Sequence, residues 1–195
     1  MKKIILTFLL VLPLSYTFSQ IGAQNDISLC KVAKIFGLYA FTDCEPISDY
    51  EVIGEVVVSG ALSPDIQRSG GQYQPVRDEL IKAAKAANYQ VEGVILTFIT
   101  GGVDKAHLVK FKNSSEDHSL ARAKRYSGIY IFCDSDPISE YDYIGNINGK
   151  NLSIPQYSNV RDYLVRKCTK KYKDAKGVIL HLVTGGKDTG EAIKF

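Results

Sequence analysis

Histidine and cysteine are scarce, three and four in 195 residues, and neither is clustered. His107, His118 and His181 lie far apart, and there is no Cys-x-x-Cys or His-x-x-x-His. The close ligand spacing of a zinc centre is therefore missing. Ser48 and Ser139 recur, but each stands between an isoleucine and an acid with no matching histidine, so no nucleophile and base pair can be named. Gly101-Gly102 and Gly185-Gly186 separate apolar runs and do not open a helix, which removes a phosphate cradle. Charge of one sign is missing as well. The formal balance of +3 includes Lys2 and Lys3, and without them 22 basic residues face 21 acidic ones. Nothing here attracts nucleic acid strongly. A long apolar run is also absent: Ile4 to Leu14 falls well short of the roughly 20 residues that span a bilayer, and no second candidate follows.

That short run follows Met1-Lys2-Lys3 and precedes small residues near Ser19 and Ala23, which reads as a Sec-type signal peptide over residues 1–23. The expected location is secreted or periplasmic, with no integral membrane segment after cleavage. Leu29 precedes Cys30 where a lipidation site needs a small residue, so no convincing lipobox is present. In an oxidising compartment four cysteines permit two disulfides with three connectivities. Cys30 with Cys44 and Cys133 with Cys168 are candidate pairings, and buried free thiols are the alternative.

What the chain does have is a repeat. Gly37-Leu38-Tyr39-Ala40-Phe41-Thr42-Asp43-Cys44-Glu45-Pro46-Ile47-Ser48-Asp49-Tyr50-Glu51-Val52-Ile53-Gly54 returns from Gly128 to Gly145 with ten of eighteen positions identical. Internal repeats decide architecture. The expected organisation is a first unit at 37–111, a polar linker at 112–127 and a second unit at 128–195.

Within each unit, branched and aromatic runs (Leu38 to Phe41, Ile129 to Phe132) suit a strand, and a second strand follows at Tyr50 to Val58 or from Tyr141 to about Ile147. The first copy is longer by seven residues, because of Ser63 to Gly71. Val76, Leu80, Ala83, Ala84 and Ala87 then form one stripe of an amphipathic helix, and Val160, Leu164 and Cys168 repeat it. Val94 to Ile99 and Val178 to Val183 read as central strands, and Leu108 to Phe111 and Ala192 to Phe195 as the last ones. The fold class is α+β: two tandem β-β-α-β-β units, each an antiparallel-rich sheet with one packed helix. Tyr39 and Phe41 point to one face of their strand and Leu38 and Ala40 to the other. Both faces are apolar, so the strand is expected to be covered twice, with docking of the two units as the economical cover.

The entry Pro46-x-x-x-Tyr50-x-x-Ile53-Gly54, repeated at Pro137, Tyr141, Ile144 and Gly145, and the helix leading to Gly93-Val94-Ile95 or Gly177-Val178-Ile179 carry a resemblance. The chain resembles the bacterial YbjQ-like domains, whose family label is heavy-metal binding, and their envelope relatives in the Rcs stress-sensor outer-membrane lipoprotein group. The resemblance covers both units and implies the small α+β fold. It maps no metal ligand onto this chain, and the alanine-rich helix end common in that family is replaced by Lys170-Lys171-Tyr172-Lys173-Asp174 in the second copy.

One constellation is duplicated and acidic. Asp43, Glu45, Asp49 and Glu51 return as Asp134, Asp136, Glu140 and Asp142, around a proline turn in each copy. Calcium accepts about six to eight oxygens in flexible geometry, so these eight carboxylates are the candidate divalent-metal ligands. No glycine lies inside either loop and the spacing is not that of an EF-hand, so solvated strand ends are the rival reading. The functional reading is an exported, non-catalytic binding or interaction module. It needs no cofactor, and its protein or small-ligand partner is not specified. Its alternatives are a divalent-metal-binding protein using the acidic loops and an enzyme with a site in the cleft between the units.

Overall fold

The same order of elements runs twice along the chain. The computed structural model describes residues 26–58, 72–149 and 156–195. The expected signal peptide at 1–23 and the extra segment Ser63 to Gly71 lie outside them. The first pass holds β1 (Leu29–Val32), β2 (Lys34–Ile35), β3 (Leu38–Thr42), β4 (Cys44–Pro46), β5 (Tyr50–Val58), α1 (Tyr73–Ala87), β6 (Gly93–Thr97) and β7 (Asp104–Phe111). The second holds β8 (Leu120–Ala123), β9 (Arg125–Tyr126), β10 (Ile129–Cys133), β11 (Ser135–Pro137), β12 (Asp142–Asn148), α2 (Tyr157–Lys171), β13 (Gly177–His181) and β14 (Thr189–Lys194). The protein is α+β. Each pass is richer than β-β-α-β-β, because short strands stand before and after the first expected one.

Ten strands form one sheet, ordered β12-β14-β13-β10-β3-β6-β7-β5, with β2 on β3 and β9 on β10. The pairs β3 with β6 and β10 with β13 are parallel. The two passes meet in the middle, where β10 and β3 pair antiparallel with Cys133 opposite Thr42. One face of this sheet carries both helices. Leu38, Ala40, Val94 and Leu96 pack on Val76, Leu80, Ile81 and Ala84 of α1, and Ile131, Val178 and Leu180 pack on Val160, Leu164, Val165 and Cys168 of α2. Lys85 lies in the last turn of α1, and Lys170 and Lys171 in that of α2, where cations oppose the negative helix end.

A second, four-stranded sheet covers the other face and explains why β3 and β10 are apolar on both sides. Its order is β11-β1-β8-β4, antiparallel throughout. Phe41, Phe132, Val109, Phe111, Ile179 and Ile193 meet Cys30, Val32, Cys44, Ala121 and Ala123 in the core between the sheets. Each arm strand is exchanged: β1 of the first pass pairs β11 of the second, and β8 of the second pairs β4 of the first. The linker expected at 112–127 thus contains β8 and β9. In β8 the core-facing residues are Ala121 and Ala123, while Arg122 is exposed. Two alanines are a faint hydrophobic signal.

The outer edge at β12 is closed by side chains from α2 and the residue after it. Lys167 donates to the Asn148 carbonyl at 2.9 Å, and Lys171 and the Tyr172 hydroxyl donate to the Asn146 carbonyl, both at 3.2 Å. A bulge lies between Tyr143 and Gly145, and Gly145 has φ +150°. A Cβ there would fall onto the Tyr172 hydroxyl, so only glycine admits that side chain. Such capping withholds the strand edge from further pairing.

Candidate functional site

Where β3 gives way to β4, Asp43 takes φ +51°, and Asp134 takes φ +52° at the matching turn from β10 to β11. Aspartate tolerates this left-handed conformation better than most residues. At these turns the backbone leaves the ten-stranded sheet and enters the four-stranded one. Each aspartate is then clasped by the helix of the opposite pass. Asp43 accepts hydrogen bonds from the Tyr157 hydroxyl at 2.5 Å, the Tyr126 hydroxyl at 3.1 Å and Nη1 of Arg161 at 3.2 Å. Asp134 accepts them from the Tyr73 hydroxyl at 2.6 Å and Nη1 of Arg77 at 2.7 Å. Tyr73 spends its hydroxyl proton on Asp134, so Thr42, 2.8 Å away, donates to Tyr73.

The clasps surround an aromatic centre. Tyr73 and Tyr157 lie 4.7 Å apart between ring centroids, with Phe98 at 5.3 Å and 4.8 Å from them. Arg161 lies over the Tyr126 ring at 4.1 Å. The turns after β6 and β13 reach across too: Thr100 donates to Ser158 at 2.6 Å, and the Thr184 and Gly185 amides donate to the side-chain carbonyls of Gln74 and Gln72, both at 3.1 Å.

Burial alone would push each guanidinium toward its neutral form, but the facing carboxylate, Asp134 for Arg77 and Asp43 for Arg161, more than reverses this and holds both cations firmly charged. For the hydroxyls, burial and the carboxylates act in the same direction. Burial, then Asp43, pushes Tyr126 up to about 12 and Tyr157 well above its ordinary range. Burial, then Cys133 and Asp134, raises Tyr73. Burial also raises Cys133, and pushes Cys168 up to about 11.

A raised value means that the folded chain keeps a proton which the unfolded chain releases, so stability falls with rising pH through that window. The melting temperature is expected to decline above about pH 9, the ordinary thiol value, and to drop more steeply between about 10 and 12 as the tyrosines titrate. Melting curves from pH 8 to 11 check this, and an unchanged melting temperature at pH 11 would contradict it.

The eight carboxylates singled out from the sequence do not converge. Asp43 and Asp134 are held by guanidinium groups, their side chains only 9% and 23% exposed. Glu45 pairs with Lys124 at 3.1 Å and Asp142 with Lys194 at 3.5 Å. Asp49, Glu51, Asp136 and Glu140 are exposed. Among the described residues, no group of three or more His, Cys, Asp or Glu is arranged to hold a metal ion. No family model, curated protein or solved structure matches the chain. The site must be read from its own geometry.

The histidines are dispersed. His107 meets Glu55 at 3.3 Å, His181 meets Glu191 at 3.2 Å, and buried His118 stacks on Phe111 with ring centroids 4.0 Å apart. All four cysteines are free and buried. The Cys30 thiol donates to the Ala121 carbonyl at 3.5 Å, and β8 lies between the strands of Cys30 and Cys44. Two strand spacings are about 9.6 Å, beyond the roughly 7 Å that a disulfide bridges. Cys133 lies by Tyr157 at the start of α2, whereas Cys168 is about 16 Å further along that helix. The side chains that make the junction, Tyr73, Arg77, Tyr157 and Arg161, carry a signal that the stripe analysis passes over. Gln-Tyr-x-x-Val-Arg-Asp-x-Leu stands at 72–80 and again at 156–164.

Proposed function

We propose that the chain is an exported binding or interaction module of the bacterial envelope or extracellular space, built as two tandem units that grip each other behind a cleaved leader. One observation carries this reading. The ionisable groups concentrated at the junction are consumed by internal pairing, Asp43 with Arg161 and Asp134 with Arg77, while apolar side chains face solvent elsewhere. Tyr141 and Tyr143 are 42% and 54% exposed on the β12 side, and Val52 and Val57 are 55% and 56% exposed on β5. Scattered exposed apolar residues are ordinary, but aromatic ones on an edge strand offer contact area at low entropic cost.

Supporting features are the repeated order of elements, the charge balance, and the absence among the described residues of a helix long and apolar enough to cross a membrane. The YbjQ-like resemblance agrees in fold class and suggests an envelope setting. An enzyme in the cleft between units is less well supported, since the rings of Tyr73, Tyr157 and Phe98 fill the junction.

The metal-binding alternative is tested by melting the chain from Gln24 to Phe195 with Ca²⁺, Zn²⁺, Cu²⁺ or a chelator. The expected result is no shift with any ion, because the junction carboxylates already have cationic partners. A rise of several degrees with one ion would replace the interaction-module reading with an ion-binding one.

A further inference from the structure

Beside α2 the surface opens into a cleft of about 460 Å³ whose lining includes Tyr126, Ser127, Arg161, Asp162, Val165 and Arg166. At the corresponding place on α1 the same chain sets a phenylalanine ring that stays 46% exposed under a helix cation. Both turns have one backbone form: Phe36 and Gly37 at φ +50° and +88°, Ser127 and Gly128 at +48° and +90°. Lys82 and Arg166 are also equivalent, each nine residues after the first residue of its helix. In the first pass the Phe36 ring lies under Lys82, with Nζ 5.3 Å from its centroid, and Lys85 donates to the Phe36 carbonyl at 2.9 Å. In the second pass serine replaces that ring while the cation is kept. Arg166 Nε donates to the Asp162 carbonyl at 3.3 Å, which anchors it at the cleft.

We propose that this cleft is a receptor site for one aromatic ring, bound against α2 under Arg166 as Phe36 is bound under Lys82. The walls suit a ring. Tyr126 supplies apolar surface, and Arg166 supplies a planar cation that stacks on π faces. Arg161 is already engaged by Asp43 and Asp162, which leaves Arg166 as the cation free to meet a ring. A cleft of this size lies within the range that holds small ligands. The inference deepens the interaction-module reading and rests on it, but the two fail separately. A metal response in the melting test would overturn the module, whereas the ring site is decided by titration.

Amide chemical shifts of the chain from Gln24 to Phe195 should be followed during titration with N-acetylphenylalanine methylamide, benzyl alcohol and N-acetylleucine methylamide. The aromatic probes are expected to cause saturable shifts at Tyr126, Ser127 and Arg166, and the leucine derivative none. Tighter binding of the phenylalanine derivative than of benzyl alcohol assigns the ring to a peptide partner, and the reverse order assigns it to a free aromatic compound. Ser127→Phe, placed in a turn that Phe36 already adopts, is expected to fill the cleft and abolish the shifts. Arg166→Ala is expected to weaken binding about threefold. Absence of saturable shifts, equal binding of the leucine derivative, or a folded Arg166→Ala chain with unchanged affinity overturns the proposal. Self-association of the wild-type chain that Ser127→Phe abolishes would likewise overturn it, since the occupant would then be a second copy.

Discussion

Asp43→Ala is expected to cost about 3 to 5 kcal/mol of folding stability, the range for breaking a buried ion pair by removing one partner. Three groups lose an acceptor at once: Arg161, 12% exposed and left with Asp162 alone, and the Tyr157 and Tyr126 hydroxyls. Water cannot easily replace it, because Tyr157 is 2% exposed. Alanine also tolerates φ +51° poorly, at about 1 kcal/mol or more. Asp134→Ala should cost less, since that side chain is 23% exposed and has two cross-junction donors instead of three. Asp43→Asn keeps the left-handed turn and one acceptor oxygen but replaces the other, which also accepts, with a donor, so its loss reports the ion pair together with that hydrogen bond. Urea unfolding of the three variants measures the series, and a loss below about 1 kcal/mol for Asp43→Ala would show that the clasp is not a stabilising contact. Against the roughly 5 to 15 kcal/mol that holds an ordinary domain together, the expected loss leaves little margin.

The same aspartates show how far sequence reading reaches. Their repetition marked Asp43 and Asp134 as important, but a carboxylate does not reveal whether its cation is an ion or a guanidinium 118 or 57 residues away. Local pattern was legible in part: β5 spans Tyr50–Val58 as expected, and Val76, Leu80 and Ala84 of the expected stripe are buried in α1, but Ala83 is only half-buried and Ala87 exposed, while Tyr73 and Ile81 complete the buried face. The apolarity of both faces of β3 also correctly demanded two covers. The second cover could not be foreseen, because it is made of strands of four or fewer residues that bury mostly small side chains, such as Ala121 and Ala123. Strand exchange between the passes is a property of packing order, which no local pattern encodes. The nine-residue repeat beginning at Gln72 and Gln156 was the available clue to the clasp, and it sits on the polar side of a stripe chosen for its apolar residues.

Neither half is expected to fold alone as a monomer. Cutting between Ser114 and Ser115, in an exposed segment, separates the passes without severing a strand or helix. In residues 26–114, β1 loses both of its neighbours, β8 and β11, and β4 loses β8. The small sheet ceases to exist, and Phe41, 0% exposed in the intact chain, loses much of its cover along with Val109 and Phe111. Uncovering one such ring costs about 1.5 to 3 kcal/mol, and several are uncovered together, along with the loss of Asp134 to Tyr73 and Arg77. Residues 115–195 suffer the mirror-image losses at Phe132 and at Tyr157 and Arg161. Circular dichroism and amide exchange should show no cooperative transition for either fragment, and an equimolar mixture should recover one. A symmetric dimer of the first fragment would preserve the argument, because a second copy of β1 and β4 supplies the strands that β8 and β11 otherwise provide. A folded monomer of either fragment, shown by sedimentation with a sharp melting transition, would mean that the exchanged strands decorate two self-sufficient domains instead of joining them.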